Sequence, residues 1–133
     1  MHTIGKLSRA AECRIETIRY YEKRGLMPIP SRSAGGHRLY GDEHVRRLKF
    51  IRRGRALGFT LEQIGELLDL SRDGQSSCGD ALQIVDRHLN VVNEKLMELE
   101  EIKRSLTGLA DNCRSCCPSA QVPDCTIMED LAR

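Results

Sequence analysis

Aromatic residues are scarce: two Phe, three Tyr and no Trp in 133 residues. The core must therefore come from Leu, Ile, Val and Ala, side chains that suit packed helices. No stretch approaches the roughly eighteen consecutive apolar residues that a membrane-crossing helix needs. The N-terminus, "MHTIGKLSRAAE", lacks the apolar segment of a secretory signal, so a cytoplasmic location is expected and no membrane partner. A Ser/His/Asp set, a phosphate loop and a paired-carboxylate cleft are all missing, and the length suits one or two small units, so no enzyme is expected.

Charge is plentiful and unevenly placed. The net +2 conceals fifteen Lys and Arg against eight Asp and Glu in residues 1–72, and six against eleven in residues 73–133. A basic first half predicts a polyanionic partner, and an acidic second half a different task. Ile4, Leu7, Ala10 and Ala11 recur at helical spacing, and "IETIRYYEKR" forms a second helix that Gly25 ends. Two short helices joined by a tight turn at Cys13 and Arg14 read as a helix-turn-helix. Pro28 and Pro30 exclude a helix from the next stretch, and Gly35-Gly36 between extended flanks predicts a small β-hairpin, a wing. Asp42 caps a third helix, with Val45, Leu48, Ile51 and Leu57 on one face, and Thr60 caps a fourth. The polar breaker "SRDGQSS" follows.

From about residue 79 to 110 the pattern is one long helix without Pro. Leu82, Val85, Leu89, Val92, Leu96 and Leu99 step by three and four, and Ile102, Leu106 and Leu109 continue the stripe after a slip at Lys103. A lone helix cannot bury that seam, and the chain has no second long helix, so the expected partner is another copy. Pro118 and Pro123 predict a loop over 112–125, before a short terminal helix. The expected fold is mainly α: a winged helix-turn-helix DNA-binding domain at 1–72, a linker and antiparallel coiled-coil dimerisation helix at 73–111, and a cysteine-rich metal-binding loop with the terminal helix at 112–133.

A helix-turn-helix sets its second helix in the major groove while flanking elements hold phosphates. That helix offers Thr17, Arg19, Tyr20, Lys23 and Arg24, and the wing offers Arg32, His37, Arg38 and Tyr40. The third helix adds Arg46, Arg47, Arg52, Arg53 and Arg55 to the basic face. Glu22 reads as an ordinary helix-surface charge.

Four of the six cysteines fall in "NCRSCCPSAQVPDC" at 112–125. In a reducing compartment such a cluster points to metal binding rather than disulfides. "CRSC" as a thiol oxidoreductase motif would need a βαβ context that is missing. Cys78 precedes the long helix and Cys113 follows it, so about 1.5 Å per residue separates them by roughly 52 Å. One chain cannot bring both to one ion. Two copies packed antiparallel can, giving two sites, each built from both chains. Three thiolates leave −1 around a divalent ion but −2 around a monovalent one, which favours a soft divalent ion. Cys13, in the helix-turn-helix turn, reads as core.

The segments "IGKLSRAAECRIETIRYYEKRGLMP" and "GGHRLYGDEHVRRLKFIRRGRALGFTLEQI" resemble the MerR family of bacterial transcription regulators. The resemblance spans the whole chain. It implies a homodimer on palindromic promoter DNA, with RNA polymerase as a further partner, in which an inducer changes the dimer geometry and the protein bends and untwists the operator. It marks Arg19, Tyr20, Tyr21, Arg38 and Tyr40 as DNA contacts. It also implies that Cys78 belongs to sensors of divalent ions, the copper(I) sensors having Ser there. The expected effector is Zn, Cd, Pb or Hg, held by Cys78 and Cys125 with a choice among Cys113, Cys116 and Cys117. Family sensors often space the two loop cysteines nine apart; here Cys113 to Cys125 is twelve and Cys116 to Cys125 is nine, which leaves that choice open. The alternative reading is an iron–sulfur redox sensor of the same family, whose loop spacing is similar but not the same and which gives Cys78 no role.

Overall fold

The computed structural model describes residues 2–133. Helices α1 (Ile4–Ala11) and α2 (Ile15–Lys23) are followed by strands β1 (Ser31–Arg32) and β2 (Arg38–Leu39), then α3 (Asp42–Ala56), α4 (Leu61–Asp73) and α5 (Cys78–Cys116). A 3-10 turn (Val122–Asp124) and α6 (Thr126–Leu131) complete the chain. The described residues form two compact units that divide between Ile84 and Val85.

In the first unit α1 packs on α2 and α3, and α3 packs on α4. The core follows the helical periods: Leu7 and Ala11 on α1, Ile18 on α2, Leu48 and Ile51 on α3, Ile64 and Leu68 on α4, with Leu26, Met27, Tyr40, Phe59 and Ile84 closing it. Leu57, expected on the core face of α3, is exposed. The helix ends at Ala56, and the chain turns so that Phe59 takes the buried place instead. Thr3 caps α1 by accepting from the Lys6 N–H. Thr60 and Gln63 make a reciprocal capping box on α4, 3.1 and 2.8 Å, which satisfies two otherwise orphaned groups. Gly25 adopts φ 75° after α2, and the Leu26 N–H then closes on the Tyr21 carbonyl at 3.0 Å. Only a residue without a Cβ takes that left-handed turn cheaply.

β1 and β2 pair antiparallel, Ser31 opposite Leu39 and Arg32 opposite Arg38. The turn between them closes with the Gly36 N–H on the Ser33 carbonyl at 2.9 Å, and Gly36 sits at φ 83°. An isolated bridge joins His2 to Tyr40, so the wing is stitched to the N-terminal segment as well as to itself.

A Cβ added to Gly54 would lie 3.0 Å from two side-chain carbons of Ile64, and Ile64 is fully buried. Helices α3 and α4 approach through this missing side chain. Gly54→Val is expected to cost about 2 kcal/mol by overpacking, despite Val's better helix propensity. A thermal midpoint lowered by roughly 8 °C or more in a melt followed by circular dichroism checks this.

α5 runs for 39 residues. It extends beyond the expected start of the loop at 112: the Cys117 N–H still bonds the Cys113 carbonyl at 3.0 Å, and Pro118 is the first residue that lacks a donor. Cys113 and Cys116 are therefore helical residues, and the loop begins at Cys117. Along α5, Leu82, Val85, Leu89, Val92, Leu96, Leu99, Ile102 and Leu106 are each 36% to 61% exposed. Among the described residues no helix is long and apolar enough to cross a membrane.

Candidate nucleic-acid interface and thiol cluster

The second helix of the helix-turn-helix and the wing border a cleft of about 700 Å³, lined by Thr3, Ile4, Arg19, Glu22, Lys23, His37, Arg38 and Tyr40. Of the residues expected to contact DNA, Arg19, Tyr20, Arg32, His37 and Arg38 are exposed, and Thr17 is half-buried. The Tyr20 hydroxyl accepts from Arg24 Nη1 at 3.3 Å, whose guanidinium lies 5.9 Å from the Tyr20 ring centre. Arg32 Nη1 donates to the Gly36 carbonyl at 2.8 Å, which braces the wing turn.

Two tyrosines differ from the surface role expected of them. Tyr21 packs against the core, and burial raises its phenol above the ordinary range. Tyr40 is fully buried. Its hydroxyl donates to Glu22 Oε1 at 2.9 Å, and burial, then that bond to Glu22, raises its pKa. Arg38 and Tyr40 are two residues apart, so extended backbone puts both on one face, and both side chains reach Glu22.

Glu22 is more than an ordinary surface charge. Its second oxygen, Oε2, accepts from Arg38 Nη1 at 3.0 Å, and its side chain is only 16% exposed. One carboxylate thus ties α2 to the wing through both oxygens. His44 is a second residue that period and motif missed. It is buried, its Nδ1 accepts the Gly41 N–H at 3.0 Å, and its Nε2 then carries the proton that faces the Pro28 carbonyl at 3.2 Å. The ring stands edge-on to Tyr40 with centroids 5.1 Å apart. The sequence signal was its place three residues beyond the helix cap, where a side chain can reach back.

Three arginines of α3 are engaged inside the chain. Arg47 donates to the Leu26 carbonyl at 2.9 Å, Arg55 to the Phe59 carbonyl at 2.9 Å, and Arg52 pairs with Glu12 at 2.7 Å. Arg46 and Arg53 are exposed. The basic face of α3 is correspondingly smaller than the arginine count suggests.

All six cysteines are free thiols. Cys13 packs against the core, and burial pushes its thiol up. Cys78, exposed, is the first residue of α5, where the Ser77 N–H donates to Asp80 Oδ2 at 2.9 Å. In the second unit, burial and a hydrogen bond with Cys125 raise the Cys113 thiol, and a hydrogen bond with Cys117 followed by burial raises Cys116. Cys125 is the N-cap residue of α6. The backbone N–H groups of Ile127 and Met128 lower its pKa, because they stabilise the thiolate. Among the described residues no three His, Cys, Asp or Glu side chains converge closely enough to hold an ion.

The chemistry of the donors fits a soft ion. Cys113 interacts with Cys125 and with Cys117, and Cys116 with Cys117; thiols of this kind are ligands for soft ions. Beside Cys125, the Thr126 hydroxyl oxygen is buried and has no hydrogen-bond partner. Such an orphan is rare and marks a place where a further acceptor belongs.

Residues 2–71 match the family model for "MerR HTH family regulatory protein", and residues 45–109 match "MerR, DNA binding". The chain is 42% identical over 132 residues to the HTH-type transcriptional regulator ZntR of Escherichia coli K12, covering 98% of this chain and 92% of that one. Its fold is similar to the transcription regulator PbrR691 of Ralstonia metallidurans CH34 in complex with lead(II), with a TM-score of 0.83, 40% identity, and 98% and 99% of the two chains covered. It is also similar to the transcriptional regulator MerR of Bacillus megaterium MB1 in complex with mercury(II), with a TM-score of 0.72, 32% identity, and 99% and 100% covered.

Proposed function

Since the chain belongs to the MerR family of helix-turn-helix transcription regulators, which are DNA-binding proteins and not enzymes, we propose that it senses a thiophilic divalent metal ion and activates a metal-resistance promoter as a homodimer. The observation that carries this reading is the placement of five thiols. Cys78 opens α5, Cys113 and Cys116 lie in its final turns, Cys117 follows, and Cys125 caps α6. The sixth, Cys13, belongs to the core.

A helix of this length holds Cys78 far from the other four within one chain. The exposed apolar seam of α5 supplies the means to reach them in another. Packed antiparallel, two copies bury that seam and bring Cys78 of one to the thiols at 113–125 of the other. Cys78, Cys113 and Cys125 form the proposed ligand set, with Cys116 and Cys117 able to supply an alternative or fourth thiolate. An ion held there would draw its charge balance from both chains. With an ion bound, the unpartnered Thr126 hydroxyl would donate its proton to a ligand sulfur, as outer partners of metal sites commonly do. The relatives with lead(II) and mercury(II) bound support the class of ion, and zinc and cadmium belong to the same soft set. No observation here favours an iron–sulfur cluster.

Arg19, Tyr20, Arg32, His37 and Arg38 form the proposed DNA face with Thr17, while Tyr21 and Tyr40 support it from behind. Cross-chain ligation would couple the effector end of each chain to the DNA-binding unit of the other, and so the ion to the operator's shape. RNA polymerase is the proposed reader of that shape. The test is transcription from the protein's own promoter with Zn, Cd, Pb, Hg and Cu(I) supplied singly. Induction by one or more divalent ions and not by Cu(I) is expected; induction by none of the four rejects the reading.

Arg38→Ala is expected to weaken operator binding about tenfold and to flatten its salt dependence by roughly one phosphate contact, a change of about 0.9 in the logarithmic slope. Fluorescence anisotropy at several salt concentrations measures both.

A further inference from the structure

We propose that Glu22 is a specificity-determining residue for DNA, acting by holding Arg38 in one position and charging a penalty for any phosphate that draws it elsewhere. This rests on the DNA-binding reading above. The cleft between α2 and the wing contains three cationic side chains, Arg19, Lys23 and Arg38, with Glu22 among them. A carboxylate in a phosphate-binding cleft lowers its affinity, so its presence calls for a compensating role.

The geometry supplies one. Glu22 Oε2 takes Arg38 Nη1 at 3.0 Å, while Oε1 takes the Tyr40 hydroxyl at 2.9 Å. Tyr40 is fully buried, so its ring has little freedom. It fixes the Glu22 rotamer, and Glu22 in turn fixes Arg38. The guanidinium, with its side chain about half exposed, has five N–H donors, of which one goes to Glu22 while the group also interacts with the Tyr40 hydroxyl. The rest remain available to a phosphate that arrives at the right place. A phosphate at any other place must pull Arg38 away and leave Glu22, 16% exposed, without its cation. An ion pair broken at a shielded site is costly. Glu22 therefore turns a mobile cation, able to hold any backbone, into a contact that depends on the position of the phosphate, and hence on groove geometry.

Glu22→Gln keeps an oxygen for Tyr40 and removes the charge, so the fold is preserved. Glu12→Gln is the matched control. It makes the same change in net charge at the exposed Arg52 pair, on the α1–α3 side of the unit. The probes are the duplex that the wild-type protein enriches from a randomised pool, and poly(dI–dC). For Glu22→Gln, affinity for poly(dI–dC) is expected to rise about fivefold and its salt slope to steepen by about 0.9, one phosphate's worth. Affinity for the enriched duplex is expected to rise less, because losing the fixed Arg38 offsets part of the gain from removing the carboxylate, so the specificity ratio falls several-fold. Glu12→Gln should leave the ratio unchanged. An unchanged ratio in Glu22→Gln, or an equal fall in Glu12→Gln, overturns the assignment while leaving DNA binding intact. If the wild-type protein enriches no duplex at all, the DNA-binding reading fails and the assignment falls with it.

Discussion

Replacing Cys78 by serine is expected to abolish metal-dependent induction while leaving operator binding by the metal-free protein within about twofold. Cys78 is the one candidate ligand at the start of α5, and the other four lie at its far end or beyond. A serine hydroxyl is nearly the same size, so the helix start is undisturbed, and the Ser77–Asp80 bond that closes it does not involve the Cys78 side chain. The hydroxyl is a hard, neutral donor at neutral pH and does not replace a thiolate on a soft ion. A site that loses one of three thiolates loses the attachment between the two chains, which is the proposed signal. Promoter output with saturating metal should fall to the metal-free level, and anisotropy on the same operator should be unaltered. Full induction by Cys78→Ser would show that the remaining thiols respond on their own.

The second large effect is expected from the seam of α5. Leu96 is exposed in the single chain and lies midway along the apolar stripe. In a two-fold dimer one substitution appears twice, and Leu96→Asp would put two carboxylates into the buried seam. Loss of each leucine costs about 2–5 kcal/mol in a packed core, and burying an unpaired charge adds to that. Together they are expected to weaken dimerisation by more than about 10⁴-fold. Sedimentation at micromolar concentration should then find a monomer, and operator affinity should collapse, since a palindrome needs both half-site readers. Glu98→Ala, two residues along and on another face of the helix, should leave the dimer intact. A dimeric Leu96→Asp with full operator affinity would remove α5 from the interface.

The elements of the DNA-binding half were legible because each carried a local signal with a physical cause. Pro28 and Pro30 forbade a helix, the Gly pair announced the hairpin, and Thr60 with Gln63 marked the start of α4. The apolar stripe of α5 was legible from its period, and the thiols from their clustering. What stayed hidden depended on long-range neighbours. Glu22 and Lys23 look like a routine surface pair, and only the wing folding back sixteen residues later gives Glu22 its two partners. Tyr40 reads as a DNA contact from its place in the wing and from the family resemblance, yet it is fully buried with its hydroxyl on Glu22. His44 carried a weak capping signal that its buried surroundings made decisive. The arginines of α3 could be counted in the sequence, but not those already spent on carbonyls and Glu12. At the far end, the cysteines Cys113 and Cys116 are weak helix formers, and nothing in their local pattern said that α5 would run through them until Pro118.

The account depends most on the shared ligand set. Chains carrying Cys78→Ser and chains carrying Cys113→Ser, Cys116→Ser, Cys117→Ser and Cys125→Ser together can be tagged differently, mixed and purified as a heterodimer. In an antiparallel pair, the Cys78 of the second chain meets the intact thiols of the first, so one site is whole and the other lacks every proposed ligand. Elemental analysis after exposure to lead(II) and desalting should find one ion per heterodimer and none in either parent homodimer. A heterodimer that retains no ion while the wild type retains two would contradict ligation across the two chains.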